Sequence, residues 1–284
     1  MVAVAVTVSS STILMGGALD HSSLLEKLIP IVRRAGEEIL GVYCTDFEVR
    51  EKADASPVTC ADERSEAVLI AGLRELAPDV VLVSEEAVEG RSQPRLGRRF
   101  WLVDPLDGTR EFASRNGEFT VNVAMIEDGL PVLGIVFAPA MDRLYYGAAG
   151  LGAFLEDPHG RKPITVAASC VDGVIVVSSR SHREEVAERR ILSQCNVANH
   201  VRIGSSLKFC LVASGEAHLY PRCGPTMEWD TAAGHAVLVA AGGEVTDLDG
   251  AVLSYGKQGL TNPGFLAFAP GAASVAVPRV REHG

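Results

Sequence analysis

The clearest candidates for chemistry are two aspartates three residues apart, Asp104 and Asp107, which follow the apolar residues 100–103. Pro105 stiffens the turn between them. A turn of this kind can direct both carboxylates and the Leu106 carbonyl oxygen at one point, and magnesium prefers such oxygen ligands. The same pattern is common in surface Asx-turns, so by itself it leaves a metal site and a plain turn equally open.

The next two residues suit a phosphate. Gly108 has no side chain, so its backbone can approach a ligand closely. If a helix begins at Thr109, its free N–H groups and the positive end of its dipole would hold a phosphate beside the ions. The segment therefore predicts a place where metal and phosphate meet.

Three short acidic motifs follow one another along the chain. They are Ser84-Glu85-Glu86, Asp104-Pro105-Leu106-Asp107-Gly108-Thr109 and Trp229-Asp230. Each is weak alone, because charged residues usually lie on solvated faces. Together they resemble the inositol monophosphatase superfamily, whose members carry G/S-E-E, D-P-[IL]-D-G-T and W-D in this order. The resemblance implies a magnesium-dependent phosphatase with an α+β fold, a layered αβαβα sandwich.

The resemblance also implies roles for single residues. The implied metal ligands are Glu85, Asp104, Asp107, Asp230 and the Leu106 carbonyl. Asp62, in a Thr-x-x-Asp pattern, would orient a further metal or its waters, and Thr109 with Glu85 would polarise an attacking water, so that no covalent enzyme intermediate forms. Carboxylates about 4 Å apart repel by roughly 4 kcal/mol per pair at an effective dielectric near 20, so such a cluster requires cations.

Longer segments resemble one branch of this superfamily, the bisphosphate nucleotidases of the CysQ type. They are residues 107–122, Ser179-Arg180-Ser181-His182, Gly204-Ser205-Ser206-Leu207-Lys208-Phe209-Cys210 and Leu219-Tyr220-Pro221-Arg222. This branch implies hydrolysis of adenosine 3′,5′-bisphosphate to AMP and phosphate, a place in sulfur metabolism, and inhibition by lithium.

The same branch implies a substrate pocket. His182 would contact the base, Ser205 would line the pocket, and Lys208 and Arg222 would hold the phosphate that is not cleaved. Gly108, Thr109, Arg110 and Asp230 would also contact the substrate. An acidic protein must supply cations locally for a second phosphate. Arg110 replaces the lysine common in this branch, which leaves its phosphate geometry open.

Two other interpretations stay open. An inositol monophosphatase or fructose 1,6-bisphosphatase would use the same metal chemistry, since one fold hosts different pockets. A magnesium-dependent nucleotide sensor would bind without hydrolysis, although it would not need every carboxylate. Without the resemblance, Lys208 is a solvated helix lysine and His182 a structural histidine.

Composition narrows the class of protein. With 284 residues, 47% of them hydrophobic and 22% charged, the chain predicts a compact globular enzyme. Its net charge of −10 opposes binding of nucleic-acid polymers. The six cysteines form no C-x-x-C pair, which favours reduced thiols and the cytoplasm. No segment is apolar enough to predict a membrane span. The oligomeric state stays open.

The pattern of predicted helices and strands divides the chain into an extension and two domains. Residues 1–19 are expected to be a disordered extension, residues 20–168 an N-terminal α+β domain with most metal ligands, and residues 169–284 a C-terminal α/β domain with the nucleotide pocket and Asp230. Capping boxes at Ser23 and Thr59 predict two helix starts. Residues 120–137 predict two antiparallel strands.

Overall fold

A computed structural model describes residues 20–51, 57–88, 93–180 and 185–272. The predicted extension at residues 1–19 and the predicted base contact His182 lie outside these ranges. The helices are α1 (His21–Tyr43), α2 (Cys60–Leu76), α3 (Glu85–Val88), α4 (Thr109–Ala113), α5 (Glu185–Leu192), α6 (Leu207–Ala213) and α7 (Glu228–Ala240).

The strands form two large sheets and two short pairs. In chain order they are β1 (Arg50–Glu51), β2 (Pro57–Val58), β3 (Val81–Ser84), β4 (Arg99–Asp107), β5 (Thr120–Glu127), β6 (Leu130–Ala138), β7 (Arg143–Ala148), β8 (Gly152–Asp157), β9 (Gly160–Ile164), β10 (Val174–Ser179), β11 (Val197–Ile203), β12 (Leu219–Arg222), β13 (Thr226–Met227), β14 (Glu244–Asp247), β15 (Thr261–Asn262) and β16 (Phe265–Phe268).

The two predicted helix starts had different outcomes. The capping box at Thr59 is confirmed, because the Thr59 hydroxyl accepts a hydrogen bond from the Ala61 N–H and the Asp62 carboxylate accepts one from the Thr59 N–H. The start at Ser23 is wrong. Helix α1 begins three residues earlier than a Ser23 cap predicts, because its N-cap is Asp20, whose carboxylate accepts from the Ser22 N–H. An aspartate is as good an N-cap as a serine, so local sequence did not separate them.

The first large sheet has the order β3-β4-β5-β6-β7-β8-β9. Only β3 and β4 pair in parallel, and every other neighbouring pair is antiparallel, which confirms the prediction for residues 120–137. Alternate residues of β4 face opposite cores: Trp101 and Val103 join one apolar cluster, while Phe100 and Leu102 join another. Both faces of this sheet are therefore covered.

The second large sheet has the order β11-β10-β12-β16-β14. Strands β11, β10 and β12 run in parallel, and β16 pairs antiparallel with both β12 and β14. The carboxyl ends of β10, β11 and β12 therefore lie at one edge, where the connections to the following elements begin.

The layers stack in the predicted order. Helices α1 and α2 cover one face of the first sheet, α6 and α7 lie between the two sheets, and α5 contacts β12 of the second sheet. Gly134 permits the close approach of α7, since a Cβ there would lie 2.4 Å from the Ala233 carbonyl oxygen. The αβαβα sandwich is confirmed. No helix within the described ranges is long and apolar enough to cross a membrane.

Candidate active site

A cleft of about 290 Å³ opens between the two sheets, where β4 ends and α4, α6 and α7 begin. Most predicted site residues line it. They are Glu85, Asp104, Leu106, Asp107, Gly108, Thr109, Arg110, Ser205, Lys208, Arg222 and Asp230. Asp62 is outside this lining, and His182 is outside the described residues. The cleft therefore brings together acids and cations that are more than 100 residues apart in the chain.

Residues 104–107 form a bulge at the end of β4, and hydrogen bonds hold several of its backbone groups. The Asp104 Oδ1 atom accepts from the Leu106 N–H at 3.0 Å, and the Pro105 carbonyl accepts from the Ser65 hydroxyl at 2.8 Å. Gly108 adopts φ 89°, a conformation that favours glycine. Helix α4 does begin at the predicted Thr109, whose hydroxyl donates to the Leu106 carbonyl at 3.3 Å.

Asp62 lies beside this turn at the start of α2. Its Oδ2 atom accepts from both the N–H and the hydroxyl of Thr59, at 2.8 and 2.9 Å. Burial raises the pKa of Asp62 to about 6 in spite of these hydrogen bonds, and the charge of Glu85 raises it further. The residue is thus close enough to the cluster to respond to its charge while its carboxylate caps a helix.

The carboxylates in the cleft carry perturbed pKa values. Burial raises the pKa of Asp104 well above its ordinary value, and the charges of Glu85, Asp107 and Asp230 add to this. Burial also raises the pKa of Asp230, together with the charges of Asp107 and Glu85. Burial raises the pKa of Asp107 to about 6, although nearby Lys208 opposes the shift. Added cations would favour the charged forms of these carboxylates.

The chemistry of these donors fits a hard cation. Within the described residues, no three His, Cys, Asp or Glu side chains are arranged to hold a single ion by themselves. Magnesium is usually bound by one or two carboxylates with water and substrate phosphate, so it does not need three carboxylates at one point. The buried, mutually repelling acids and the Leu106 carbonyl therefore suit ions that share ligands with a phosphorylated substrate.

The same cleft is also lined by cations. Lys208 is only 5% exposed, and its ammonium group donates to the Ser205 and Ile203 carbonyl oxygens. Burial lowers the pKa of Lys208 to about 8. Arg222 donates from Nη2 to the Pro225 carbonyl, whereas its buried Nε has no hydrogen-bond partner among the described residues. A buried donor without a partner is uncommon and suits an anionic ligand.

Several residues at the site were not predicted. Ser206, Thr120 and Asn122 form a buried hydrogen-bonded group around Asp107. Polar residues at alternate positions of the otherwise apolar strand 120–127 were an available signal, because a buried strand rarely carries them without a reason. The role of Ser206 had no local signal.

Most of the chain matches the model of one protein family. The model described as the inositol monophosphatase family matches residues 20–280. The chain belongs to the inositol monophosphatase family. This membership confirms the predicted family, its fold and the prediction of a phosphatase. It also supports metal dependence, which agrees with the donor set in the cleft.

Relatives of this member of the inositol monophosphatase family cover most of its length. It is 48% identical over 245 residues to the 3′(2′),5′-bisphosphate nucleotidase CysQ of Salmonella typhimurium. The aligned residues are 85% of this chain and 98% of that protein. The corresponding CysQ of Escherichia coli K12 is equally similar. A crystal structure of CysQ from Bacteroides thetaiotaomicron superposes with a TM-score of 0.73 at 35% identity, over 88% of this chain and 98% of that one.

Proposed function

We propose that this protein is a magnesium-dependent 3′(2′),5′-bisphosphate nucleotidase that hydrolyses adenosine 3′,5′-bisphosphate to AMP and phosphate. The observation that carries the proposal is one cleft lined both by acids, Asp104, Asp107 and Asp230 (the acidic wall), and by the cations Lys208 and Arg222 (the cationic wall). The acids suit the metals at the cleaved phosphate, and the cations suit a second phosphate. The 48% identity to CysQ proteins supports the same choice.

The proposed metal ligands are Glu85, Asp104, Asp107, Asp230 and the Leu106 carbonyl. Bound magnesium would supply charge neutralisation at the phosphoryl group and lower the pKa of a water molecule. Asp104 is held for this role by the Leu106 N–H, and Asp107 by the Ser206 N–H at 2.6 Å. Fixed carboxylates lose little entropy when an ion binds.

Side chains and backbone groups of the protein orient the attacking water and the phosphate that is cleaved. Thr109 and Glu85 orient the attacking water, and Asp62 holds the water or ion next to Glu85. Gly108, Thr109 and Arg110 contact the phosphate, and Asp230 also contacts the substrate. No nucleophilic serine or cysteine takes part, so the phosphoryl group passes directly to water.

The proposed contacts to the uncleaved phosphate are Arg222 and Lys208, with Ser205 beside them. Arg222 is the stronger candidate, because it lines the cleft and its guanidinium makes a single hydrogen bond within the described residues, from Nη2 to the Pro225 carbonyl. Two of the three N–H donors of Lys208 already go to main-chain carbonyls, which leaves one for the substrate. Hydrogen bonds to charged groups contribute about 1.5–3 kcal/mol each. His182 remains a proposed base contact from sequence alone.

A substrate panel tests this function directly. Phosphate release is measured with adenosine 3′,5′-bisphosphate, adenosine 2′,5′-bisphosphate, inositol 1-phosphate and fructose 1,6-bisphosphate, with magnesium and with EDTA. We expect the nucleoside bisphosphates to have the highest kcat/KM and EDTA to abolish turnover. A preference for inositol 1-phosphate or fructose 1,6-bisphosphate would reassign the substrate. Tight nucleotide binding without phosphate release would instead indicate a sensor.

Three further properties belong to the same proposal. Lithium would inhibit, because it can occupy a magnesium position with too little charge; undiminished turnover in millimolar lithium at limiting magnesium would contradict this. The substrate would connect the enzyme to sulfur metabolism. In the part of the chain that the structure describes, none of the six cysteines forms a disulfide, which agrees with a proposed cytoplasmic location.

A further inference from the structure

The Asp107 carboxylate is held through one of its two oxygens. Among the described residues, every donor group within reach of this carboxylate lies at Oδ2: the Ser206 N–H at 2.6 Å, the Asn122 amide at 3.4 Å and the Thr120 hydroxyl at 3.5 Å. Oδ1 accepts no hydrogen bond from this part of the chain. The carboxylate is therefore oriented with one oxygen tied down and the other left for a ligand.

The side chain of Ser206 sets the direction of these hydrogen bonds. Its hydroxyl lies 2.7 Å from the Asn122 Oδ1 atom, which can only accept, so Ser206 donates there. The Thr120 hydroxyl has a single proton, which it donates to the Ser206 Oγ atom at 2.9 Å rather than over the longer 3.5 Å to the Asp107 Oδ2 atom. With its Oδ1 atom bound in this way, the Asn122 amide must turn its N–H groups toward Asp107. A chain of donors thus runs from Thr120 through Ser206 and Asn122 to Asp107.

This group joins the two halves of the molecule. Thr120 and Asn122 lie on β5 of the first sheet, whereas Ser206 directly precedes α6 and follows the second sheet's β11. All three are at least 98% buried, so water does not substitute for their hydrogen bonds. Ser206 is 99 residues from Asp107 in the chain.

The segment that presents Ser206 is fixed from both sides. The Glu118 carboxylate accepts from the Gly204 N–H at 2.8 Å and pairs with Arg180 at 2.6 Å. Burial favours the neutral form of Glu118, yet the hydrogen bonds of Arg180 and Gly204 hold its pKa below the ordinary value. On the other side the Lys208 ammonium binds the Ser205 carbonyl, and Ser205 itself has φ 52°. A non-glycine residue in this region persists only when its surroundings hold it.

We infer that Ser206 is a positioning residue: through Asn122 and its own N–H it fixes the Oδ2 atom of Asp107, so that Oδ1 is directed at the metal ion. The inference rests on the proposed function, in which Asp107 is a metal ligand. Residues that orient a metal ligand typically contribute 10–100-fold to metal affinity or activity. Because the N–H of Ser206 survives any side-chain substitution, we expect an effect at the lower end of that range.

The main experiment compares Mg²⁺ binding by isothermal titration calorimetry in the wild type and in Ser206→Ala. We expect the variant to bind Mg²⁺ roughly tenfold more weakly. Phosphate release at saturating magnesium is measured separately. If the wild type bound no Mg²⁺, the proposed function would fail. If the wild type bound Mg²⁺ and Ser206→Ala bound it equally tightly, only the role of Ser206 would be overturned.

A second pair of variants keeps the test valid if Ser206→Ala folds poorly. Ser206→Thr and Ser206→Val have the same shape and differ only in the hydroxyl. We expect the threonine variant to bind Mg²⁺ several times more tightly than the valine variant, and equal affinities would contradict the inference. Ser178→Ala is the control, because it also removes a buried hydroxyl. The Ser178 hydroxyl lies 2.8 Å from the His200 Nε2 atom and does not line the cleft, so this variant should leave Mg²⁺ affinity unchanged.

A double-mutant cycle separates positioning from general damage. If Ser206 acts through Asn122, Ser206→Ala should weaken Mg²⁺ binding much less in the Asn122→Ala background than in the wild type. If Ser206→Ala only destabilised the fold, the variant would have a lower Tm in EDTA. That decrease in Tm would add to the decrease caused by Asn122→Ala. Additive losses in Mg²⁺ affinity would overturn the inference.

Discussion

The two walls of the cleft are built in different ways. The acidic wall comes mainly from one turn, where Asp104 and Asp107 are held by main-chain N–H groups and by buried side chains. The cationic wall comes from α6 and β12, and Arg222 keeps a buried donor without a partner among the described residues. The acidic wall is organised before any ligand arrives, whereas the cationic wall has capacity left for a substrate anion.

This difference suggests that the acidic wall serves metal binding and the cationic wall serves substrate discrimination. Metal chemistry requires a fixed geometry, since ligands of magnesium must stand near 2.0–2.1 Å from the ion. Discrimination between substrates requires only cations that bind the second phosphate of a bisphosphate. A substrate with one phosphate gains nothing from them. We therefore expect changes in the acidic wall to affect all substrates, and changes in the cationic wall to affect bisphosphates most.

The largest expected effect concerns the acidic wall. Asp107→Asn should lower kcat by at least about three decades on every substrate, because it removes a ligand charge on which the metal chemistry depends. The exposed Asp249→Asn is the control and should leave turnover unchanged. The metal-free variant should unfold at a higher temperature than the metal-free wild type, because repulsion with Asp104 and Asp230 is relieved. Near wild-type turnover would remove Asp107 from the metal site.

A smaller and selective effect is expected at the cationic wall. Arg222→Ala should lower kcat/KM for adenosine 3′,5′-bisphosphate by about one to two decades, at ~1.4 kcal/mol per decade, and barely change any slow hydrolysis of inositol 1-phosphate. Lys208→Ala should show a similar loss on the bisphosphate. Because Lys208 also binds the Ser205 carbonyl, it should affect inositol 1-phosphate more than Arg222→Ala does. Equal losses on both substrates for Arg222→Ala would contradict the assignment of the second phosphate.

The pH dependence of metal stabilisation probes the acidic wall alone. The pKa values of Asp62 and Asp107 are raised to about 6, so in metal-free protein their protonated forms stabilise the fold at lower pH and this contribution is lost as the pH rises through 6. Magnesium must displace those protons at low pH. The Tm difference between magnesium and EDTA samples should therefore be small at pH 5 and larger by several degrees at pH 8, at roughly 2 °C per kcal/mol.

Two other buried groups bear on the pH range from 5 to 8. Burial lowers the pKa of Lys208 to about 8, so its charge changes only at the upper end of the range. Burial lowers the pKa of His235 to about 3, so its neutral form stabilises the fold above its unfolded pKa and this contribution declines as the pH falls below about 6.5. Because His235 bonds to Tyr255 rather than to the cleft carboxylates, it affects both samples alike. A Tm difference independent of pH would mean that the carboxylates do not bind the added metal.

The smallest expected effect is that of removing residues 1–19. Helix α1 begins at His21 and is capped by Asp20, so a chain that starts at Asp20 keeps its first described element complete. We expect kcat/KM on the bisphosphate to stay within about twofold of the full chain. Loss of folded protein would contradict the prediction of a disordered extension and would give those residues a part in the fold.

Local sequence determined a good part of this protein. The Thr59 capping box, the β5–β6 hairpin and the helix start at Thr109 were predictable because each depends on a few neighbouring residues. The Asp104 to Thr109 motif, with its resemblance to a family, indicated the acidic wall and the layered fold. The helix start at Asp20 was missed, since serine and aspartate cap helices equally well.

Only the tertiary structure decided which distant groups meet. Nothing near Ser206 in the chain indicates that its N–H lies 2.6 Å from a carboxylate 99 residues earlier. Nor could the sequence show that Lys208 donates two hydrogen bonds to main-chain carbonyls, or that the buried Nε of Arg222 has no partner among the described residues. These contacts depend on how the two sheets pack against α6 and α7. Helix and turn signals act over a few residues, whereas the position of one layer against another is set by the whole core.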